Sequence, residues 1–301
     1  MKRIAVTGVT GQVGWELQRA LQPLGLIVAL DRNLLDLARP ETVRRVIQEI
    51  KPDVIFNPGA YTAVDKAEQE SDLARRINQD SVAELASAAQ ACGALLVHYS
   101  TDYVFRGDGD RPHSELHAAD PQGVYGRTKL GGELALRASK AAWLCFRTSW
   151  VYAARGKNFV RTILRLARER DELRVVADQV GAPTSSRLIA DASVAVLLAA
   201  LSERKEDRFE SSVMHLAAAG ETSWHRFAEA IVVGAQALGM TGIVARSVIP
   251  ISTADYPTPA RRPANSRLDC SLIRDRYGLV LPAWQDGLRL TLMELAAHEW
   301  K

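Results

Sequence analysis

"RIAVTGVTGQVG", residues 3–14, carries the decision about the fold. Its first half is a short apolar run of the kind that forms a buried strand, and Gly8, Gly11 and Gly14 stand where the pattern turns helical. Glycine supplies the positive φ of a tight turn and lets a backbone approach a pyrophosphate closely. The helix that follows offers free N–H groups and a partial positive charge to phosphate. Spacing alone is a weak signal, and a purely structural turn is the plain alternative. Position strengthens it, because the first strand-to-helix turn is where dinucleotide folds bind. The pattern is GxxGxxG rather than GxGxxG.

Outward from this turn, short β-branched runs alternate with helical patterns. Strands are expected at 3–7, 27–30, 54–57, 95–100 and 143–148, with helices over "GQVGWELQRALQPLG", "PETVRRVIQEIKP" and "SDLARRINQDSVAELASAAQACG" between them. That alternation implies βαβ units, right-handed crossovers and a parallel sheet covered on both faces. Past residue 150 the pattern loosens. Helices are expected over 158–170, 187–203, 223–238, 271–277 and 284–300, and strands over "LRVV" and "VMHLAAA". The fold class is α/β: a Rossmann-type doubly wound parallel sheet with a smaller C-terminal lobe. The expected division gives residues 1–148, with parts of 158–176 and 187–217, to the nucleotide-binding domain. Residues 149–157, 177–186 and 218–301 go to the lobe.

The 301 residues are 47% apolar and 24% charged, as in a soluble globular protein. A formal net charge of +3 gives no argument for nucleic acid, although 30 of the 38 basic residues are Arg, which suits phosphate. Cys92, Cys145 and Cys270 are odd in number and have no ligand-like spacing, so they read as buried thiols in a reducing compartment. "MKRIAVTG" enters a strand directly, without a signal peptide's apolar region. The longest apolar run, "ASVAVLLAALS", is too short for a bilayer. A cytoplasmic location is expected, with no membrane and no nucleic acid as partner.

Asp31 ends the second strand, about 20 residues past the glycines, where an acid hydrogen-bonds the adenosine ribose. Arg32 beside it suits a 2′-phosphate, so NADH and NADPH both stay open. "NPGAYT" (57–62) and "YSTDYVF" (99–105) end the next strands at the sheet's carboxyl edge, where ligands bind in open α/β folds. In "VYGRTKLGGE" (124–133), Tyr125 and Lys129 stand one helical turn apart and leave one face together. A lone Tyr at such a position is ordinarily packed on the core, and a lone Lys is a surface cation.

Glycine turn, Ser-Thr pair after the fourth strand and YxxxK together resemble the extended short-chain dehydrogenase/reductase family. Within it, "GQVGWELQRAL", "STDYVF", "VYGRTKLGGE", "FRTSWVYA", "DQVGAPT" and "YPTPARRPANSRL" are similar to the dTDP-4-dehydrorhamnose reductases, over nearly the whole chain. The resemblance implies reduction of the C4 keto group of dTDP-4-dehydro-L-rhamnose by NADPH or NADH. Tyr125 would be the catalytic acid, Lys129 the residue on the cofactor ribose, and Thr101, with Ser100 beside it, the hydroxyl on the reacting oxygen. An ammonium close to a phenol, together with the positive nicotinamide ring of the oxidised cofactor, favours phenolate, so the Tyr125 pKa is expected to be drawn downward. Gly8, Gly11, Gln12, Val13, Gly14, Asp31, Arg32, Asp36, Leu37, Ala60, Tyr61, Thr62 and Tyr99 match cofactor positions. Asp102, Trp150 and Arg261 match substrate positions, Arg262 suits the same diphosphate, and Asn158, Gln179 and Pro183 border the nucleotide pocket. A homodimer is among the assemblies the resemblance allows.

Two departures stand out. Pro58 removes a backbone donor where relatives carry a small residue. Glu16 matches an acid of a metal-linked dimer in some relatives, but Arg187 stands where another acid would be, so no metal is expected. Three other readings compete. A 4,6-dehydratase needs an acid pair after the threonine, and Asp102 is followed by Tyr103. A 4-epimerase shares the fold and cofactor. The regulatory subunit of methionine adenosyltransferase shares the fold as a non-catalytic partner.

Overall fold

A computed structural model describes residues 1–298. The first half runs β1 (Lys2–Thr7), α1 (Gln12–Leu21), β2 (Gly25–Leu30), α2 (Pro40–Ile50), β3 (Val54–Asn57), α3 (Val64–Ala67), α4 (Ser71–Arg75), α5 (Ser81–Cys92), β4 (Leu95–Thr101), α6 (Val124–Ala138) and β5 (Ala142–Thr148). Then follow β6 (Val151–Tyr152), α7 (Phe159–Glu169), β7 (Glu172–Val176), β8 (Val180–Gly181), β9 (Thr184–Ser185), α8 (Ser186–Lys205) and β10 (Ser212–His215). The chain ends with β11 (Thr222–Ser223), α9 (Trp224–Ala237), β12 (Ser247–Ile251), α10 (Ser271–Tyr277) and α11 (Trp284–His298). Positions 299 and 300 of the helix expected to 300 lie outside the described residues.

Six parallel strands form the main sheet in the order β10-β5-β4-β3-β1-β2. β3 and β4 are buried at every position, which is why they read as unbroken runs rather than alternating ones. The winding reverses between β1 and β3, and that switch point opens a crevice at the strands' carboxyl ends. One apolar core lies between the sheet and α1 and α8, with Leu17, Leu21, Val196 and Leu197 against Val6, Val97 and Phe146. A second lies under α2, α5 and α6, with Val43, Ile47, Leu85 and Leu136 against Ile55 and Leu96. α4 and α5 are joined by a π-helical turn at Arg76–Asp80, inside what the sequence reads as a single helix.

A third core belongs to the lobe. Ile163 and Leu164 of α7 and Leu173 of β7 pack there with Phe227 and Ile231 of α9 and Leu288 and Leu292 of α11. Residues 158–176, expected to join the sheet domain, therefore pack with the lobe; β7 pairs with β12 in a separate two-stranded sheet. Conversely Ile273, Tyr277, Leu279 and Leu281, expected in the lobe, pack on the sheet's first core. An amphipathic helix announces that it has a face to bury but not which element will cover it.

Candidate active site

The switch-point crevice is a cleft of about 740 Å³, within the size range of small-molecule and cofactor sites. Its floor is the glycine turn. Gly8 holds φ +55°, and a Cβ at Gly14 would stand 2.2 Å from the Gly8 carbonyl oxygen, so only glycine permits this approach. α1 begins at Gln12 with no side-chain cap and no acid in its first turn, leaving its N-terminus open to an anion. Gln12 Oε1 accepts from Asn158 Nδ2 at 3.0 Å, tying the turn to the lobe.

Of the expected cofactor positions, Gly8, Gly11, Gln12, Val13, Gly14, Asp31, Arg32, Asp36, Leu37, Ala60, Thr62 and Tyr99 border this cleft. One Asp31 oxygen, Oδ1, accepts the N–H groups of Asn33 and Leu34 at 2.9 and 3.0 Å, which orients the carboxylate at the end of β2. Arg32 is 81% exposed and only loosely paired, 3.9 Å from Asp36. Pro58 and Gly59 face the glycine turn from the end of β3. Tyr99 keeps its ring in the first core and donates its hydroxyl to Ser193 at 2.8 Å. Tyr61 is not among the cleft's lining residues: its hydroxyl donates to Glu70 at 2.6 Å, turned out toward α4.

At the other end of the cleft, Thr101 ends β4 and Tyr125 opens α6. The Tyr125 phenol is hydrogen-bonded to the Thr101 side chain, and Thr101 also donates to Asp102 Oδ1 at 3.0 Å. Burial pushes the Tyr125 phenol up, and the neighbouring Asp102 and Tyr103 add to that. Lys129, expected to draw the phenol downward, is not among the groups acting on it, because its Nζ turns to β4 and donates to the Tyr99 carbonyl oxygen at 2.5 Å. Burial lowers the Lys129 ammonium itself to about 8. Ser100, beside Thr101, serves elsewhere, donating at 2.6 Å to Glu133, which also receives Arg147 Nε and Nη2 at 2.9 and 2.6 Å.

Asp102 is buried, and burial raises its carboxyl to about 6, against the side chains of Ser266 and Thr101 that hold it down. Trp150 walls the same end. Its backbone sits at φ +49°, a conformation that a bulky residue adopts only when its surroundings impose it. Gly181 leaves the necessary room, since a Cβ there would stand 2.7 Å from the Trp150 ring. Trp224, at the start of α9, lies 3.6 Å behind that ring and also borders the cleft.

Arg261 does not line the cleft and contacts Gln122 at 3.3 Å, while Arg262 pairs with Asp65 at 2.6 Å and reaches Tyr103. Gln179 donates to Thr253, and Pro183 borders a separate cavity near α11. In that cavity's rim the Arg187 guanidinium lies between Glu16, at 3.4 Å, and Glu294, at 2.7 Å. No group of three or more His, Cys, Asp or Glu able to hold a metal occurs among the described residues. Sequence reading missed Trp224, Lys157 and Gly156 in the cleft, and His98 behind it.

The RmlD substrate binding domain family matches residues 1–297. The chain is 49% identical to dTDP-4-dehydrorhamnose reductase of Burkholderia thailandensis over 297 residues, 98% of this chain and 100% of that one. Identity to the Escherichia coli K12 enzyme of the same name is 47%, covering 97% of each. Among solved structures, dTDP-4-dehydrorhamnose reductase of Bacillus anthracis in complex with NADP superposes with a TM-score of 0.87 at 36% identity, covering 97% of this chain and 99% of that one. UDP-glucose 4-epimerase of Thermus thermophilus, 19% identical over 98% of this chain and 99% of that one, has a TM-score of 0.78 and shares the fold.

Proposed function

The chain belongs to the RmlD family of dTDP-4-dehydrorhamnose reductases, and we propose how its cleft carries out their reaction. It is an NAD(P)H-dependent oxidoreductase that reduces the C4 keto group of dTDP-4-dehydro-β-L-rhamnose to dTDP-L-rhamnose, the last step of dTDP-rhamnose synthesis. The observation that carries the residue roles is the Tyr125 phenol hydrogen-bonded to Thr101, one helical turn from Lys129, at the end of a glycine-turn cleft.

The open α1 N-terminus and the close approach at Gly14 suit the cofactor's pyrophosphate, with Asp31 on the adenosine ribose and Arg32 available to a 2′-phosphate. When bound, the reduced nicotinamide supplies hydride to C4. Tyr125 gives its phenolic proton to O4 of the sugar, and Thr101 holds that oxygen in place. Burial keeps Tyr125 protonated until the developing alkoxide calls for its proton. Lys129 would hold the nicotinamide ribose and return the proton to the phenolate through an intervening hydroxyl or water. The Asp102 carboxylate and the N–H of Trp150 suit sugar hydroxyls, and Arg261 and Arg262 the diphosphate, the arginines having to swing from their present partners.

In this proposal the sheet domain seats the nucleotide cofactor and the lobe seats the sugar nucleotide; homodimeric assembly and a cytoplasmic location belong to it as well. No helix among the described residues is long and apolar enough to cross a membrane. The test is loss of reduced-nicotinamide absorbance with dTDP-4-dehydro-L-rhamnose against its UDP and GDP counterparts, using NADPH and NADH. Net oxidation of cofactor with the dTDP sugar is expected. Interconversion of sugars without net oxidation would instead make the chain an epimerase.

A further inference from the structure

Behind the cleft, Lys129 is held by a buried polar chain that the reaction above does not use. Besides the Tyr99 carbonyl, its Nζ meets Nε2 of His98 at 3.3 Å. His98 is completely buried in β4, and its Nδ1 lies 3.1 Å from Asn57 Nδ2. The Thr7 hydroxyl donates to Asn57 Oδ1 at 2.6 Å and accepts the Gly59 backbone N–H at 3.3 Å. The chain therefore links the active-site lysine to the strand ends that face the glycine turn.

Its direction follows from how Asn57 presents its amide, with Oδ1 to Thr7 and Nδ2 to His98. Thr7 accepts the Gly59 backbone N–H, and the Asn57 atom it meets on its other side is Oδ1, which only accepts, so the single Thr7 proton goes to Asn57. The Asn57 amide then turns its NH2 toward His98, whose Nδ1 accepts. A neutral imidazole accepting at Nδ1 carries its proton on Nε2, the nitrogen facing Lys129. Burial and the Lys129 charge hold His98 well below its ordinary pKa, so the ring is neutral.

We propose that His98 is a positioning residue: oriented by Asn57 and Thr7, it donates from Nε2 to the Lys129 amine and so poises this lysine between amine and ammonium. The other groups facing Lys129 offer no substitute. On α6, Glu133, though paired with Arg147 of β5 and held by Ser100, favours the ammonium, and Tyr125 is a protonated phenol. On β5, burial keeps the Cys145 thiol protonated; on β4, it keeps the Tyr99 phenol protonated. The inference rests on the reductase reading and deepens it. After Tyr125 has protonated the sugar oxygen, an N–H bond of Lys129 breaks, an intervening hydroxyl or water passes the proton on so that the O–H bond of Tyr125 re-forms, and solvent returns a proton to the lysine. Stabilising the amine makes that donation easier.

Two measurements on the full-length, ligand-free protein test this without turnover. Ring-nitrogen NMR shifts of His98 report its tautomer, expected to carry the proton on Nε2; a proton on Nδ1 overturns the proposal. A carbon NMR titration follows the ε-carbon of Lys129, identified among the eight lysines by its loss in Lys129→Arg. In the near-isosteric Thr7→Val the Asn57 amide is released, and the Lys129 midpoint is expected to rise by about one pH unit as His98 becomes free to accept from the ammonium. A midpoint that stays or falls in a folded variant overturns the proposal. Neither readout depends on the sugar assay, so a failure here leaves the reductase reading standing, and the reverse holds as well.

Discussion

The indole rings of Trp150 and Trp224 lie 3.6 Å apart and 11° from parallel. Trp150 arrives from β5 and Trp224 opens α9, so the stack joins the end of the sheet to the lobe. It also braces a backbone that would otherwise leave the left-handed region, where a bulky residue costs of order 1–3 kcal/mol. Trp224→Leu should therefore act through Trp150. An aromatic pair is worth about 0.5–1.5 kcal/mol beyond its area, so KM for the sugar nucleotide should rise up to about tenfold while kcat changes less. Steady-state kinetics measure both; an unchanged KM would remove Trp224 from the site.

Tyr125→Phe keeps the ring, its edge contact with Tyr103 and the α6 packing, and removes only the proton. Cofactor affinity, read by fluorescence titration, should hold. The value of kcat should fall about 10²–10⁴-fold, the usual scale of general acid catalysis. Wild-type turnover by this variant would mean that another group protonates the sugar oxygen.

Asp102 should cost stability above neutrality. Its folded carboxyl titrates at about 6, above the ordinary value of an unfolded aspartate, so between those values the native state holds more protons than the unfolded one. Stability from this group is fully present below the unfolded value and is lost as pH rises through about 6. Asp102→Asn should then be more stable than wild type at mildly alkaline pH, by roughly 2–3 kcal/mol at most, with the difference vanishing in acid. Urea unfolding at several pH values checks this, and a gain independent of pH would point to another cause.

In the proposed roles, Arg32 should discriminate between the cofactors. At 81% exposure, with a carboxylate no nearer than 3.9 Å, it is free to meet a 2′-phosphate. Arg32→Ala should weaken NADPH about tenfold or more and leave NADH nearly unchanged, since hydrogen bonds to charged groups contribute about 1.5–3 kcal/mol. Asp31→Ala should weaken NADH the more. Equal losses for both cofactors, from either variant, would withdraw the assignment concerned.

The central sheet was legible because buried parallel strands are written as unbroken apolar runs, and β1 to β5 fall within two residues of expectation. The two-residue ladders β6, β8, β9 and β11 are too short to carry any period, and Pro250 disguised β12. That Tyr125, Lys129 and Thr101 border one cleft could be anticipated because the short motifs carrying them sit at the ends of readable elements. The place of Trp224 could not, because nothing in a helix start says that it stacks on a tryptophan 74 positions earlier. His98 had one available signal, a polar side chain inside a strand buried at every position, and such a group must find partners. The Lys129 amine lies away from the phenol because helical spacing puts Tyr125 and Lys129 on one face without saying where a long lysine stem ends.

Chain leaves the sheet after β5, returns with α8 and β10, leaves again for α9, returns with α10, and ends in the lobe with α11. The sixth strand of the sheet is thus supplied only after the lobe's α7 and β7 have been laid down. Neither half is a contiguous segment that can be excised and expected to fold. Heat or denaturant should take the molecule apart in one cooperative step, with both lobes melting together.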